Sequence, residues 1–206
     1  MSDSDATRHW TAYYAATAGR PPRPTLLAAL DNRGAAAGPG RAVDLGCGDG
    51  RDAIELLRRG WTVLAIDSEP AALDRLQTRP DLPPEARLTT LCGKFEEIAW
   101  QPPDWPPVDL VNASFALPIC PPALFPVLWQ KITASLASGG RFAGQLYGPR
   151  DSWAGKRDMT FPDADQVRRL LADFAVERLD EDESNAVTPR GEAKHWHIFH
   201  IGAKKR

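Results

Sequence analysis

The chain has 206 residues, 43% hydrophobic and 25% charged, proportions that suit a globular domain and exclude a largely disordered, collagenous or disulfide-stapled one. Its 25 basic and 27 acidic residues leave a net charge of -2, so no overall electrostatic bias favours nucleic acid or an anionic membrane. No linker or internal repeat divides the sequence, which reads as a single domain over residues 1–206.

Residues 1 to about 40 read as an N-terminal appendage: Trp10, Tyr13 and Tyr14 precede Pro21, Pro22 and Pro24, a helix over 25–30 and a Gly/Ala-rich turn. From Arg41 strands and helices alternate. An apolar strand at 42–45 enters a glycine loop and then a helix at 51–60 carrying Ala53, Ile54, Leu56 and Leu57. Residues 62–66 make a second strand, Pro70 suits the first turn of a helix reaching about Gln77, and 87–91 make a third strand. This alternation implies a parallel sheet. Beyond the proline-rich 101–107, a fourth strand is expected at 108–113, a helix at 121–136 ended by Ser138-Gly139-Gly140, and a fifth strand at 141–147. A helix at 163–172 precedes strands at 175–180 and 195–203, whose hairpin connection puts an antiparallel strand on the sheet.

The glycine loop is the most informative segment. In Val43-Asp44-Leu45-Gly46-Cys47-Gly48-Asp49-Gly50-Arg51, glycines at alternate positions let the backbone turn tightly and a ligand approach where a Cβ would collide. A dinucleotide fingerprint would read G-x-G-x-x-G and cradle pyrophosphate on a helix N-terminus. This loop reads G-x-G-x-G and follows Asp44, a carboxylate that repels phosphate and suits an amine or a cation. Asp67 ends the second strand, where a carboxylate accepts two hydrogen bonds from a ribose diol. Loop and carboxylate together specify an adenosine-bearing ligand.

D-L-G-C-G-D-G followed by A-I-D resembles motif I and the acidic residue of class I S-adenosylmethionine-dependent methyltransferases, over about residues 41–203. The resemblance implies an α/β, Rossmann-like three-layer sandwich. Its sheet is seven-stranded and mostly parallel, of order 3-2-1-4-5-7-6 with strand seven antiparallel, and residues 1–40 serve as lid to a core at 41–203. It implies S-adenosyl-L-methionine as cofactor, with Asp44, Gly46, Gly48 and Gly50 bordering the methionine part and Cys47 approaching through its backbone. Asp67 is assigned to the ribose, Ser68 to the ribose or adenine, and Asn112 and Ala113 to the neighbourhood of the transferable methyl. In Cys92-Gly93-Lys94-Phe95-Glu96, Lys94 stands where family members often carry Asp. Phe95 either flanks the adenine or packs in the core, and Glu96 either accepts from the adenine or is solvated.

Open α/β sheets bind ligands outside the carboxyl ends of their strands, so the acceptor belongs near the loops after strands four and five. Asn112-Ala113-Ser114-Phe115 lacks the prolines of the [DN]-PP-[YF] signature of enzymes that methylate DNA or glutamine amino groups, against those acceptors. The segments F-A-L-P-I-C-P-P, G-P-R-D-S-W and K-H-W-H-I-F-H are similar to small bacterial methyltransferases of the tellurite-resistance and thiopurine methyltransferase group, which implies a small-molecule acceptor. Asp151 and Trp153, with Lys194 and His195, either wall the acceptor pocket or form a structural ion pair with tryptophans capping the core. Tyr13 or Tyr14 either covers the sulfonium or belongs to a packed amphipathic helix. Tyr13, Trp153, His195 and His197 are therefore the candidate substrate-side residues, a histidine being the base for an amine or hydroxyl acceptor.

Cys47, Cys92 and Cys120 lack CxxC spacing and read as reduced thiols of a cytoplasmic protein. His195 and His197 share a strand face that His200 does not, which argues against a metal. The opening MSDSDATRHW lacks the pattern of a signal peptide, and no segment approaches the roughly 18 apolar residues of a membrane span. The expected partner is a small molecule, with no nucleic acid and no membrane, for a monomer or homodimer. The competing readings are a non-catalytic S-adenosylmethionine-binding sensor or scaffold, and an NAD(P)-dependent oxidoreductase, which the loop spacing and Asp44 oppose.

Overall fold

Side-chain alternation along the central strands decides which helices cover which face. The computed structural model describes residues 13, 17, 19–100, 105–189 and 191–206; Trp10, Tyr14 and the first residues of the proline-rich stretch, 101–104, lie outside them. β1 (Arg41–Leu45) sends Val43 and Leu45 into one apolar cluster and Ala42 into the other. β2 (Thr62–Asp67) divides likewise, Leu64 and Ile66 opposite Val63 and Ala65. On the Ala42 side lie α1 (Pro24–Arg33), α2 (Arg51–Arg58) and α3 (Pro70–Gln77), burying Leu26, Leu56 and Leu76. On the Val43 side lie α4 (Phe125–Ser135) and α5 (Ala164–Leu170), burying Leu128, Trp129, Ile132 and Val167. The result is the expected three-layer sandwich.

The remaining strands are β3 (Arg87–Cys92), β4 (Val108–Ala113), β5 (Leu136–Tyr147), β6 (Phe174–Val187) and β7 (Ala193–Lys205). The sheet has the order β3-β2-β1-β4-β5-β7-β6, with β7 antiparallel to both β5 and β6. Order and the single reversed strand match the expectation.

Three boundaries differ clearly from the sequence reading, the first being the start of β5, which pairs with β4 from Leu136 rather than beginning at 141. The stretch 121–124 is a turn closed by Leu124 and Phe125 N–H on Pro121 O, because Pro121 and Pro122 supply no amide hydrogens and Pro126 fits only the first turn of α4. The hairpin strands are longer than expected, extending to Val187 and back from Ala193. The acidic run after Asp180 disguised the strand. Cross-strand neighbours supply the missing support, Glu181 to His197 at 2.8 Å and Glu183 to His195 at 2.9 Å.

Candidate active site

β1 ends at Leu45 and the chain turns at once, the Gly46 and Cys47 N–H groups donating to Ile66 O at 2.8 and 3.0 Å. Gly46 has φ +65°, and a Cβ there would stand 2.5 Å from Ala116 Cβ. Gly50, at φ +89°, lets α2 start against α3, where its Cβ would strike Leu76. The turn opens a cavity of about 340 Å3 at the carboxyl ends of β1, β2 and β4. Of the residues singled out in the sequence, Tyr13, Asp44, Gly46, Cys47, Gly48, Asp67, Ser68, Phe95 and Glu96 line it. Gly50, Asn112 and Ala113 do not: Gly50 packs on Leu76, Ala113 is core, and Asn112 is fully buried behind Asp44.

Asn112 Nδ2 donates to Asp44 Oδ1 at 2.8 Å and to Asp52 Oδ2 at 3.1 Å, while Asp52 Oδ1 accepts from Arg23 N–H at 2.9 Å. Asp44 is 2% exposed, and its Oδ2 has no hydrogen-bond partner among the described residues. Burial, and then the charge of Asp52, push the Asp44 carboxyl well above the usual carboxylate range, with the Asn112 hydrogen bond opposing them. Such an oxygen on a cavity wall is a ready receptor for an ammonium group. Asp67 accepts Gly48 N–H on Oδ2 and Glu69 N–H on Oδ1, both at 2.9 Å. Each oxygen keeps lone-pair capacity for another donor. Burial also raises Asp67, its two backbone donors opposing. The Cys47 thiol is pushed up by burial and by the Asp44 and Asp67 charges, so it stays protonated. Phe95 belongs to the core and also lines the cavity, and its carbonyl accepts from Trp100 Nε1 at 2.7 Å.

Sequence reasoning missed the wall formed by Arg23, Arg51, Phe115, Ile119 and Pro121. Phe115 has φ +59°, the one positive-φ non-glycine residue among those described. A left-handed residue with a Cβ costs roughly 1–2 kcal/mol. Here a buried relay holds it: Phe115 N–H donates to Gln145 Oε1 at 3.0 Å, and Gln145 Nε2 to Thr25 Oγ1 at 2.8 Å. The Arg23 guanidinium lies 4.4 Å from the Phe115 ring centroid. Arg51 Nε donates to Pro21 O at 2.6 Å, and its buried Nη1 has no hydrogen-bond partner among the described residues. Burial and then the Arg23 charge lower the Arg51 pKa. Arg51 directly follows the glycine loop, a position that signals a ligand contact; Arg23, between two prolines, carries no such signal.

Trp153, His195 and His197 are absent from this cavity's lining. The segments they belong to do meet, Gly148 N–H on His197 O at 2.7 Å and Ser152 N–H on His195 O at 3.0 Å. At the junction sits an ion pair. The Lys194 ammonium contacts both Asp151 carboxylate oxygens, and Nζ lies 4.8, 4.3 and 3.9 Å from the ring centroids of Tyr147, Trp153 and Trp196. Both partners' side chains are buried, 1% and 0% exposed. The two histidines make polar contacts of their own. His197 Nδ1 accepts from Arg150 N–H at 3.2 Å and Nε2 lies 2.8 Å from Glu181, while His195 pairs with Asn185 and Glu183. Among the described residues no cluster of His, Cys, Asp or Glu is fit to hold a metal, and no helix is long and apolar enough to cross a membrane.

Residues 42–140 match a family model described as a methyltransferase domain. The chain has the Rossmann-like fold of methyltransferases. A magnesium-protoporphyrin O-methyltransferase of Rhodobacter capsulatus is 47% identical over 47 residues, which are 23% of this chain and 20% of that protein. The chain's match thus spans about a fifth of that curated relative. TehB from Haemophilus influenzae superposes with a TM-score of 0.70 at 14% identity, over 86% of this chain and 61% of that one. The magnesium protoporphyrin IX methyltransferase ChlM from Synechocystis PCC 6803, with bound SAH, gives 0.69 at 12% identity over 99% and 97%. The same ChlM is also solved with bound SAM, with a TM-score of 0.68 at 12% identity.

Proposed function

We propose that the chain transfers the methyl group of S-adenosylmethionine to a small-molecule acceptor by in-line displacement. The observation that carries this reading is the buried, unpartnered Asp44 Oδ2 on the cavity wall beside the glycine loop, an acceptor that fits the cofactor's ammonium. Arg51 Nη1 suits its carboxylate, the backbone of Gly46, Cys47 and Gly48 its methionine chain, Asp67 its ribose diol, and Ser68, Phe95 and Glu96 the base. Asn112 is a positioning residue that holds Asp44 and Asp52 in place, and Tyr13 is the lid residue. Bound there, S-adenosylmethionine supplies an electrophilic methyl group and departs as a neutral thioether, so the leaving group needs no acid.

The chain's own task is then alignment and exclusion of water, which the Phe115, Ile119 and Tyr13 wall performs. The reading takes residues 1–206 as one domain, a lid at 1–40 over a core at 41–203. It is a cytoplasmic monomer or homodimer that does not act on nucleic acid. Calorimetric titration with S-adenosylmethionine, S-adenosylhomocysteine and NADH tests it. Binding of the first two alone is expected, followed by turnover in a screen of thiols, oxyanions and small acids. Binding of NADH alone, or of none of the three, overturns the reading; tight cofactor binding with no turnover of any acceptor favours a sensor.

A further inference from the structure

Besides the glycine loop, the cavity lining joins cations to apolar side chains. Arg23 and Arg51 both line it, close enough that the charge of Arg23 lowers the Arg51 pKa. Like charges in a half-buried cleft repel unless an anion sits with them. The charge of Asp52 offsets part of this repulsion, but no lining acid forms an ion pair with either guanidinium among the described residues: Asp52 is held by Arg23 N–H and Asn112, Asp67 by two backbone N–H groups, Asp44 Oδ1 by Asn112, and Asp49 answers first to Arg79 and Arg75. A bound cofactor brings one carboxylate, which balances one guanidinium. Arg23 remains. Its backbone is set between Pro22 and Pro24 and tied to Asp52, and its guanidinium rests on a Phe115 ring that the Gln145–Thr25 relay holds in place. Around it the wall is apolar, with Phe115, Pro121 and an Ile119 that is 47% exposed.

We infer that the acceptor is a small organic anion, a carboxylate on an apolar body, and that Arg23 selects it. The guanidinium pairs with the carboxylate while Phe115, Ile119 and Pro121 receive the body. This rests on the methyl-transfer reading, because the second cation is counted against a bound cofactor.

The test titrates protein saturated with S-adenosylhomocysteine with benzoate and hexanoate, and with benzamide and hexanamide as neutral counterparts. The carboxylates are expected to bind about tenfold or more tightly than the amides. Arg23→Gln should remove that preference and Arg23→Lys restore most of it, with affinity for S-adenosylhomocysteine staying within about twofold in both variants. Equal binding of acid and amide, no binding of either acid, or an undiminished preference in Arg23→Gln overturns the inference and leaves methyl transfer standing. A parallel loss of S-adenosylhomocysteine affinity in Arg23→Gln assigns Arg23 to the cofactor and also overturns it. Failure of the wild-type protein to bind S-adenosylhomocysteine overturns the methyl-transfer reading and this inference together.

Discussion

Asp44 carries two opposed demands. Without a ligand its carboxylate is buried beside Asp52 and its pKa is raised, so the folded chain holds a proton that the unfolded chain gives up at lower pH. Stability of the ligand-free protein therefore falls as pH rises from the ordinary carboxylate range through the raised value. Asp44→Asn removes that liability and should raise the ligand-free melting temperature at neutral pH, while weakening binding of S-adenosylhomocysteine by about tenfold or more through loss of the ammonium's partner. The same linkage predicts proton release on binding wherever free Asp44 is protonated. Calorimetry in buffers of different ionisation enthalpy reads the release, and Asp44→Asn should abolish it. At Asp67 the expected loss is simpler. Asp67→Ala leaves a ribose diol without its acceptor and frees the Gly48 and Glu69 N–H groups, so cofactor affinity should fall by about 1–3 kcal/mol; an unchanged dissociation constant would move the ribose elsewhere.

Among the elements, the junction of the loop after β5 with the start of β7 separates structural from catalytic charge. Lys194 and Asp151 are buried together under three aromatic rings, so removing one partner strands the other. Lys194→Met should cost about 3–5 kcal/mol by chemical denaturation, whereas the double change Lys194→Met with Asp151→Leu should recover much of it. The cofactor's dissociation constant should barely move in a variant that stays folded. The meeting of these two segments was legible in the sequence, because an antiparallel seventh strand must start beside the end of the fifth. Its chemistry was not: Lys, Asp and Trp compose a pocket wall as readily as a buried pair, and only packing decides. The long hairpin failed for a related reason. A run such as Asp180-Glu181-Asp182-Glu183 reads as solvated loop until its cross-strand histidines and Arg150 are in view.

For the whole molecule, the fold was legible because hydrophobic runs, Pro70 and the glycine loop act locally, and the strand order followed from a resemblance those local signals support. The cavity was half legible. Its glycine-loop part, through Arg51, is contiguous in sequence, whereas the rest joins residues about 23 and 115–121, which only the closed sheet brings to it. Binding should consequently report on the entire fold. A ligand that engages both parts and not the unfolded chain stabilises by RT ln(1 + [L]/Kd), about 2.7 kcal/mol at a hundredfold excess over Kd. At about 2–4 °C per kcal/mol for a chain of this size, S-adenosylhomocysteine at that excess should raise the melting temperature by about 5–11 °C. Asp67→Ala at the same absolute ligand concentration should lose a large part of the shift, measured from the variant's own ligand-free melting temperature. NADH should give no shift. A shift from NADH equal to that from S-adenosylhomocysteine would mean that the cavity reads only adenosine, and Asp44 would then have no part in choosing the ligand.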